Sequence, residues 1–595
     1  MRWRGAGVGA AVLASLAALV GPGGARADAP PSCAPAGPPV VFTGSVTTGD
    51  AKTYISLPFS VAAGTTRVEA TYDWVDPLPL TPLTQTVFDL GLWDSDGLGT
   101  ADGFRGWSGS RAGRVGTQPP VFVQQDVAQR GYRPAPIDAG VWTVDLGVAA
   151  VGNAGADWTV TVTCTAPVVG APFVPDPVDA AHVADTAAGW YHGDFHMHGF
   201  HSSGRAPSFE DEAVYAQSVG LDFLPITDYV TGQHWDELGQ TQRDHPDLLI
   251  WPGREIITYF GHANALGETR DVLDYRHGAE GVSLLDIERA TVADGALFQV
   301  NHPTTFPGPV FQNFCRGCEF TLGSVIDWEL VTTMEVLTGP VLASSEELSL
   351  PDLGFMIQNP FTQPAIDLWE SQLLAGHRIT GVSGSDSKGV NPDPRQMWGS
   401  SATAVYAREL SRPALIEALR AGHAYVRTLG VAGSPEVEVT AVAPDGSTGI
   451  VGDTLGADQA QITVTVRGGQ GQVLLVNRNG DAAGLPVLID ADPFTYTFLA
   501  ARDASTEGPL GTFWRFDTEA TRADVVGTFL TTIGNPVFLA GPAGSGTPVP
   551  GPGAAPGGVD ARRLPATGGS GSAVLPAAVL LGAALAFRVR GARAR

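Results

Sequence analysis

The stretch Gly193-Asp194-Phe195-His196-Met197-His198-Gly199-Phe200-His201-Ser202-Ser203-Gly204 sets the terms for the rest of the chain. Apolar and aromatic residues interleaved with His196 and His198 read as the end of a β-strand, and the glycines and serines after them read as a loop. Side chains two positions apart leave a strand on one face, so both imidazoles can reach a single metal ion. Two ligands do not complete a site, and the chain offers others in order: Glu255, His262, His302 and Asp386. Each stands at or just beyond a predicted strand end. The fold must therefore bring successive strand ends to one place.

Residues 186–430 carry a pattern that does so. Ser208-Phe209-Glu210-Asp211 has the form of a capping box and predicts a helix running to Val219. Apolar strand runs follow at 221–226, 248–251, 296–300, 334–337 and 378–382, and a final helix is predicted over 413–421. Buried strands alternating with helices predict an α/β barrel, in which the strand C-termini converge on one face.

The flanks read differently. Residues 28–175 alternate in short runs, as in Thr66-Arg67-Val68-Glu69-Ala70-Thr71-Tyr72, and predict an N-terminal β-sandwich. The alternation returns over 431–540 and predicts a C-terminal β-sandwich. The expected fold class is thus multidomain, α/β plus all-β, with a central barrel between two sandwiches. Residues 541–563 are rich in Gly, Pro and Ala and read as a flexible tether. Cys33 and Cys164 bracket the first sandwich and are expected to staple its ends. Cys315 and Cys318 form a C-x-x-C without the second pair a zinc knuckle needs, so a small disulfide is expected.

Both ends read as addresses. A basic start, an apolar run and Ala25-Arg26-Ala27 predict a signal peptide over residues 1–27 and hence export. Residues 564–595 hold Leu564-Pro565-Ala566-Thr567-Gly568, an apolar run from Ala573 to Phe587 and a basic tail. This order resembles the L-P-x-T-G sorting signal of Gram-positive surface proteins. The resemblance implies cutting by a sortase, attachment to cell-wall peptidoglycan and transient membrane contact through the apolar run. The chain is acidic, with 61 Asp and Glu against 35 Lys and Arg and a net charge of −26. That balance argues against bulk nucleic-acid binding, which relies on Lys and Arg to meet phosphates.

Any one histidine in a chain of this size carries little weight, but four His with Glu and Asp at successive strand ends carry much more. Imidazole with carboxylate suits Zn, Mn or Fe rather than Ca. His-x-His, Thr-Asp-x, Pro-Gly-x-Glu, Asn-His-Pro and Gly-Ser-Asp-x-x, in this order, resemble the PHP (polymerase and histidinol phosphatase) superfamily, nearest its CehA/McbA-type branch. Phe104-Arg105-Gly106-Trp107-Ser108-Gly109 and Gly131-Tyr132-Arg133-Pro134-Ala135-Pro136 are similar to the leader domain of that branch. The resemblance implies a distorted (β/α)7 barrel with metals at the strand C-termini.

Departures from the family pattern fall together. Ser202-Ser203-Gly204 stands for Ser-Asp-Gly, Tyr229 for the His of Thr-Asp-His, and Lys388 for the His of Ser-Asp-x-His. In three-metal members of that superfamily the lost residues serve mostly the third ion, so the resemblance implies two divalent transition-metal ions here. His196, His198, Glu255 and Asp386 would hold one, and Glu255, His262 and His302 the other. His201 is a lesser candidate for restoring a third site. Lys388 offers a positive charge to a phosphate oxygen, with drift as the competing reading; Tyr229 offers a hydroxyl, or else simply fills the empty site. Asp228 is expected to orient a ligand or move protons, and Arg205 to steady developing charge. The expected function is hydrolysis of a small phosphoester by a hydroxide that two metals activate. Ester, carbamate or amide hydrolysis of the CehA type is the alternative. A non-catalytic surface module on a degenerate barrel is a third reading.

Overall fold

The computed structural model describes residues 29–76, 85–112, 118–267, 274–308, 315–344 and 354–541. The expected signal peptide, the sorting signal and all of the tether but residue 541 lie outside them.

Alternation in the sequence builds the leader domain. Arg67–Trp74 buries every second side chain, which gives a strand one wet and one dry face. One sheet runs Ser32–Cys33, Thr53–Val61, Gly140–Ala150, Val87–Trp93 and Phe104–Trp107, with Arg111–Ala112 attached to Val87–Trp93. The facing sheet runs Val40–Val46, Ala156–Thr165, Arg67–Trp74 and Val121–Gln124. Phe59, Trp74, Phe88 and Trp142 pack between them. A disulfide joins Cys33 to Cys164 with their Cα atoms 5.5 Å apart.

The central region is mostly sheet with few helices. Its strands are β1 (Gly189–Gly193), β2 (Phe223–Ile226), β3 (Leu249–Ile257), β4 (His262–Leu266), β5 (Leu297–Val300), β6 (Val331–Thr338), β7 (Thr380–Gly384), β8 (Ala402–Ala407) and β9 (Ala424–Arg427). Between them lie α1 (Phe209–Ser218), α2 (Gly239–Asp244), α3 (Leu284–Ala293), α4 (Thr362–Ala375) and α5 (Arg412–Ala421). Local chemistry sets the helix ends. The Ser208 side chain accepts from the Asp211 N–H at the start of α1, and Ser411 does the same for Ala414 in α5, which ends at Gly422 with φ 82°.

The strands form one ladder in the order β7-β6-β5-β4-β3-β2-β1-β8-β9. Its pairings are mixed: β1 to β3 are parallel, β4 is antiparallel to both β3 and β5, and β5 to β7 are parallel again. The uniform strand–helix alternation expected of a (β/α)7 barrel is therefore absent among the described residues. Between β3 and β4 stands a tight turn in place of a helix. The Thr258 hydroxyl donates to the Gly261 carbonyl at 2.6 Å and accepts from the Phe260 and Gly261 N–H groups at 3.1 Å.

The chain runs on past the ends of β1 and β7, and the two continuations meet. Phe195 N donates to Ser383 O at 3.2 Å, Asp386 N to His196 O at 2.7 Å and His198 N to Ser387 O at 3.0 Å. Beyond β9 the ladder passes into the C-terminal region, where Val426 pairs with Ile533. The edge of β9 is thus covered rather than left open. Asn535 Nδ2 secures this junction by donating to Gly381 O at 2.9 Å and Ala424 O at 3.0 Å. A four-stranded sheet built on Glu436–Val442, Gln459–Arg467 and Phe494–Ala501 packs on the far part of the ladder through Ile462, Val464, Trp514 and Phe516. The second layer of the C-terminal sandwich is therefore shared with the central sheet.

Candidate metal centre

Each of the six residues arrives by its own local route. His196 and His198 lie just past β1, on the segment that pairs with the continuation of β7. Glu255 sits inside β3, which runs on through Pro252 and Gly253 beyond the predicted 248–251. Proline lacks an N–H, but the Pro252 carbonyl still accepts from Gly267 N at 2.8 Å, so the strand continues past it. His262 opens β4, directly across from Ile257. His302 and Asp386 follow β5 and β7 with φ of 30° and 49°, a left-handed backbone uncommon outside glycine. Such conformations persist where the surrounding structure over-determines them.

The side chains converge on Glu255. Its Oε1 lies 3.2 Å from His196 Nε2, 3.1 Å from His262 Nδ1 and 3.3 Å from His302 Nε2, and its Oε2 lies 3.4 Å from His198 Nε2. Asp386 Oδ1 is 3.0 Å from His198 Nε2 and 3.3 Å from His196 Nε2. One donor atom each from His196, His198, Glu255 and Asp386 falls within 4.8 Å of the others. The same distance gathers His262, His302 and Cys318, although Cys318 is bonded to Cys315 in a disulfide.

These residues fit a divalent cation. His196 Nε2 and Glu255 Oε2 are buried and have no hydrogen-bond partner. Buried polar atoms are ordinarily satisfied, and an ion between them would satisfy both. Burial draws the His198 imidazole down to about 4, with the Lys388 charge adding to it, and lowers His262 as well. Both rings are therefore neutral, the form that binds metal. Burial would raise the Glu255 carboxyl, but His196 and His262 hold it well below the usual carboxylate range.

Outer contacts aim the rings. Glu335, fully buried, reaches His196 Nδ1 with Oε1 at 2.7 Å, while its Oε2 accepts from His302 N and from the Thr338 hydroxyl, each at 2.7 Å. His262 Nε2 meets Arg316 O at 2.8 Å and His302 Nδ1 meets Cys318 O at 3.2 Å. The loop closed by Cys315 and Cys318 therefore holds two imidazoles by their far nitrogens. Asp194 binds the strand ends together by accepting from the backbone of His196, Ser385 and Gly399. The sequence reading did not include Glu335. Its signal was a charged residue inside the apolar run of β6.

The remaining candidates occupy distinct places. Asp228 is fully buried and accepts from the N–H groups of Gly199, His201 and Ser202 at 2.7–3.2 Å, so it shapes the loop after His198. The Tyr229 ring centre is 4.1 Å from that of His198, and burial pushes its hydroxyl pKa up. Lys388 Nζ binds Asp386 Oδ1 and lies 4.7 Å from the centre of the Tyr229 ring. Asp386 keeps the Lys388 ammonium above its usual range against the effect of burial. Arg205 is exposed, and its backbone bridges to Gly389. The His201 ring is engaged at both nitrogens, with Glu237 Oε2 at 2.9 Å and Gly131 N at 3.3 Å, outside the cluster.

The leader domain reaches the same place. Trp107 stands edge-on to Tyr229 with ring centres 5.9 Å apart, and Arg130 donates to Ser203 O. Asp89 of the leader takes the Tyr259 hydroxyl at 2.6 Å and the Trp107 indole N–H at 2.8 Å.

Among similar solved structures is a two-domain protein containing a predicted PHP-like metal-dependent phosphoesterase from Bacteroides vulgatus ATCC 8482. It is 16% identical, the match covers 63% of this chain and 97% of that one, and the TM-score is 0.31. No family model and no curated protein matches the chain.

Proposed function

We propose that this chain is a metal-dependent hydrolase of the PHP superfamily, CehA/McbA-type branch, acting on a phosphoester. The central region is read as a distorted PHP-type barrel. Two divalent ions (Zn, Mn or Fe) would be held, one by His196, His198, Glu255 and Asp386, the other by Glu255, His262 and His302. The observation that carries this reading is the convergence of four imidazoles and two carboxylates in one buried cluster, in which His196 Nε2 and Glu255 Oε2 make ion-pair contacts but no hydrogen bond. When bound, such ions lower the pKa of water toward 7 and draw charge from a phosphoryl group.

The chain's own residues do the rest. Glu335 and the carbonyls of Arg316 and Cys318 fix which nitrogen each ring presents. The Tyr229 hydroxyl, kept protonated by burial, donates to an anionic oxygen of the substrate. Lys388 supplies fixed positive charge beside it. Asp228 holds the Gly199–Ser202 loop so that His198 and Tyr229 keep their spacing. Export, sortase processing and attachment to wall peptidoglycan complete the proposal.

One observation favours the ester, carbamate or amide alternative: the Lys388 ammonium is bound to Asp386, a proposed ligand, instead of standing apart for a phosphate. Phosphate release from phosphomonoesters, diesters and cyclic nucleotides, set beside aryl-ester and carbamate cleavage, separates the two. Phosphate release supports the first reading, and ester cleavage with no phosphate from any substrate replaces it. Neither activity, with no bound transition metal, points to the surface module.

A further inference from the structure

One sulfur beside the proposed metal ligands has no part in the function described so far. Cys318 is 4% exposed, and its Sγ lies within 4.8 Å of one nitrogen of His262 and one of His302. Thiolate with imidazole is a zinc-type donor set, softer than imidazole with carboxylate. In the oxidised chain that sulfur is tied to Cys315 in a disulfide. A disulfide sulfur carries no charge, and the thiolate is the form that binds metal. The two sulfurs also differ in access, since Cys315 is half-buried and Cys318 is buried. A thiolate from solvent therefore reaches Cys315 first, and the leaving group of its attack is the Cys318 thiolate, released beside both rings. Backbone bonds beyond the disulfide hold it there. Phe320 N donates to Pro303 O at 3.0 Å and Thr321 N to Phe260 O at 2.8 Å. On the other side Gly317 is pressed against the His262 ring, where a Cβ would stand 2.8 Å from Nε2.

We propose that reduction of the Cys315–Cys318 disulfide turns Cys318 into a ligand of the ion held by His262 and His302. The inference rests on the two-ion reading above, in which Glu255, His262 and His302 leave that ion an open position. A dithiol reductant supplies the electrons. Its first thiolate attacks Cys315 Sγ, the bond between Cys315 and Cys318 breaks, and a mixed disulfide forms at Cys315. Its second thiol then closes the reductant's own disulfide and releases Cys315. Two electrons and two protons have passed to the cysteines, and Cys318 gives its proton to solvent on binding the ion. Three protein ligands leave a zinc site open for water, and a fourth closes it. The reduced chain thus prefers zinc to manganese at this position and loses the place where water is activated.

Loading the full chain with cobalt(II) tests this, because a thiolate ligand gives a charge-transfer band in the near ultraviolet that imidazole and carboxylate do not. The chain is loaded in its oxidised form and after dithiothreitol, with the reductant removed under argon before the metal is added. The expected result is no band in the oxidised chain and a band in the reduced one. Cys315→Ser leaves Cys318 without a sulfur to pair with and is expected to show the band with no reductant at all. Cys318→Ser is expected to show none in either state, although it keeps the Cys33–Cys164 disulfide as a second target of the reductant. Bound zinc is also expected to shield Cys318 of the Cys315→Ser chain from iodoacetamide. Cobalt taken up by the reduced chain and by Cys315→Ser without the band would overturn the inference and leave the two-ion reading standing. A band of equal strength in reduced Cys318→Ser would overturn it as well. Chains that take up no cobalt in any state would overturn both.

Discussion

Glu335 Oε1 stands 2.7 Å from His196 Nδ1, deep in the central sheet and behind the metal-facing side of the ring. A carboxylate in that position fixes the imidazole so that Nε2 faces Glu255 and Asp386, and it raises the basicity of that nitrogen. Glu335→Gln is therefore expected to weaken metal binding about 10–100-fold while leaving the fold intact. Competition against a chromogenic chelator measures it. Wild-type affinity in the variant would mean that His196 is aimed by other means.

The loop from Cys315 to Cys318 offers its carbonyls to His262 and His302. Cutting the disulfide frees that loop, so Cys315→Ser with Cys318→Ser is expected to lower metal affinity about tenfold. Gly317 has φ 96°, and a Cβ there would stand 2.8 Å from His262 Nε2. Gly317→Ala is thus expected to destabilise the chain by about 1–3 kcal/mol and to weaken metal binding at the same ring. Thermal unfolding and chelator competition read the two effects separately.

Lys388 competes with any cation for Asp386. Lys388→Gln is expected to tighten metal binding several-fold, and to lower the turnover of a phosphomonoester about tenfold or more if the ammonium steadies the phosphoryl group. Tighter binding with unchanged turnover would assign Lys388 to balancing Asp386 alone.

Asp89 joins the leader to the central region through Tyr259 while also taking the indole N–H of the leader's own Trp107, and burial pushes its pKa up to about 6. A carboxyl raised in the folded state binds more protons there than when unfolded, so its effect on stability declines as pH rises from 3.8 to about 6. Asp89→Asn has no such proton to lose. The stability of the variant relative to wild type is expected to rise across that window, by at most about 3 kcal/mol. Urea unfolding at pH 4 and pH 7 gives the difference. A flat difference would mean that Asp89 does not titrate there.

The legible part of this protein was the part written in side-chain type and spacing. His196 and His198 announced a pair on one face, and Glu255, His262, His302 and Asp386 stood where strands were expected to end. All six surround one small volume. Pairing direction was not legible. Residues 249–257 and 262–266 are short buried strands, and such runs suit parallel and antiparallel neighbours alike. The Thr258 turn decided the matter through backbone hydrogen bonds that a strand pattern does not display. The carbonyls of Arg316 and Cys318 were hidden for a similar reason, since every residue carries one. The shared sheet of the C-terminal region depends on contacts about a hundred residues apart, such as Thr428 with Leu530, beyond the reach of local alternation.

The central claim is that Glu255 joins two metal sites. Elemental analysis of the full chain and of Glu255→Gln, after reconstitution with Zn, Mn or Fe and removal of loose ions, tests it most directly. The account predicts about two transition-metal ions per wild-type chain and loss of most of both in the variant. A wild-type chain that keeps almost no metal, or a Glu255→Gln chain that keeps all of it, would contradict the account.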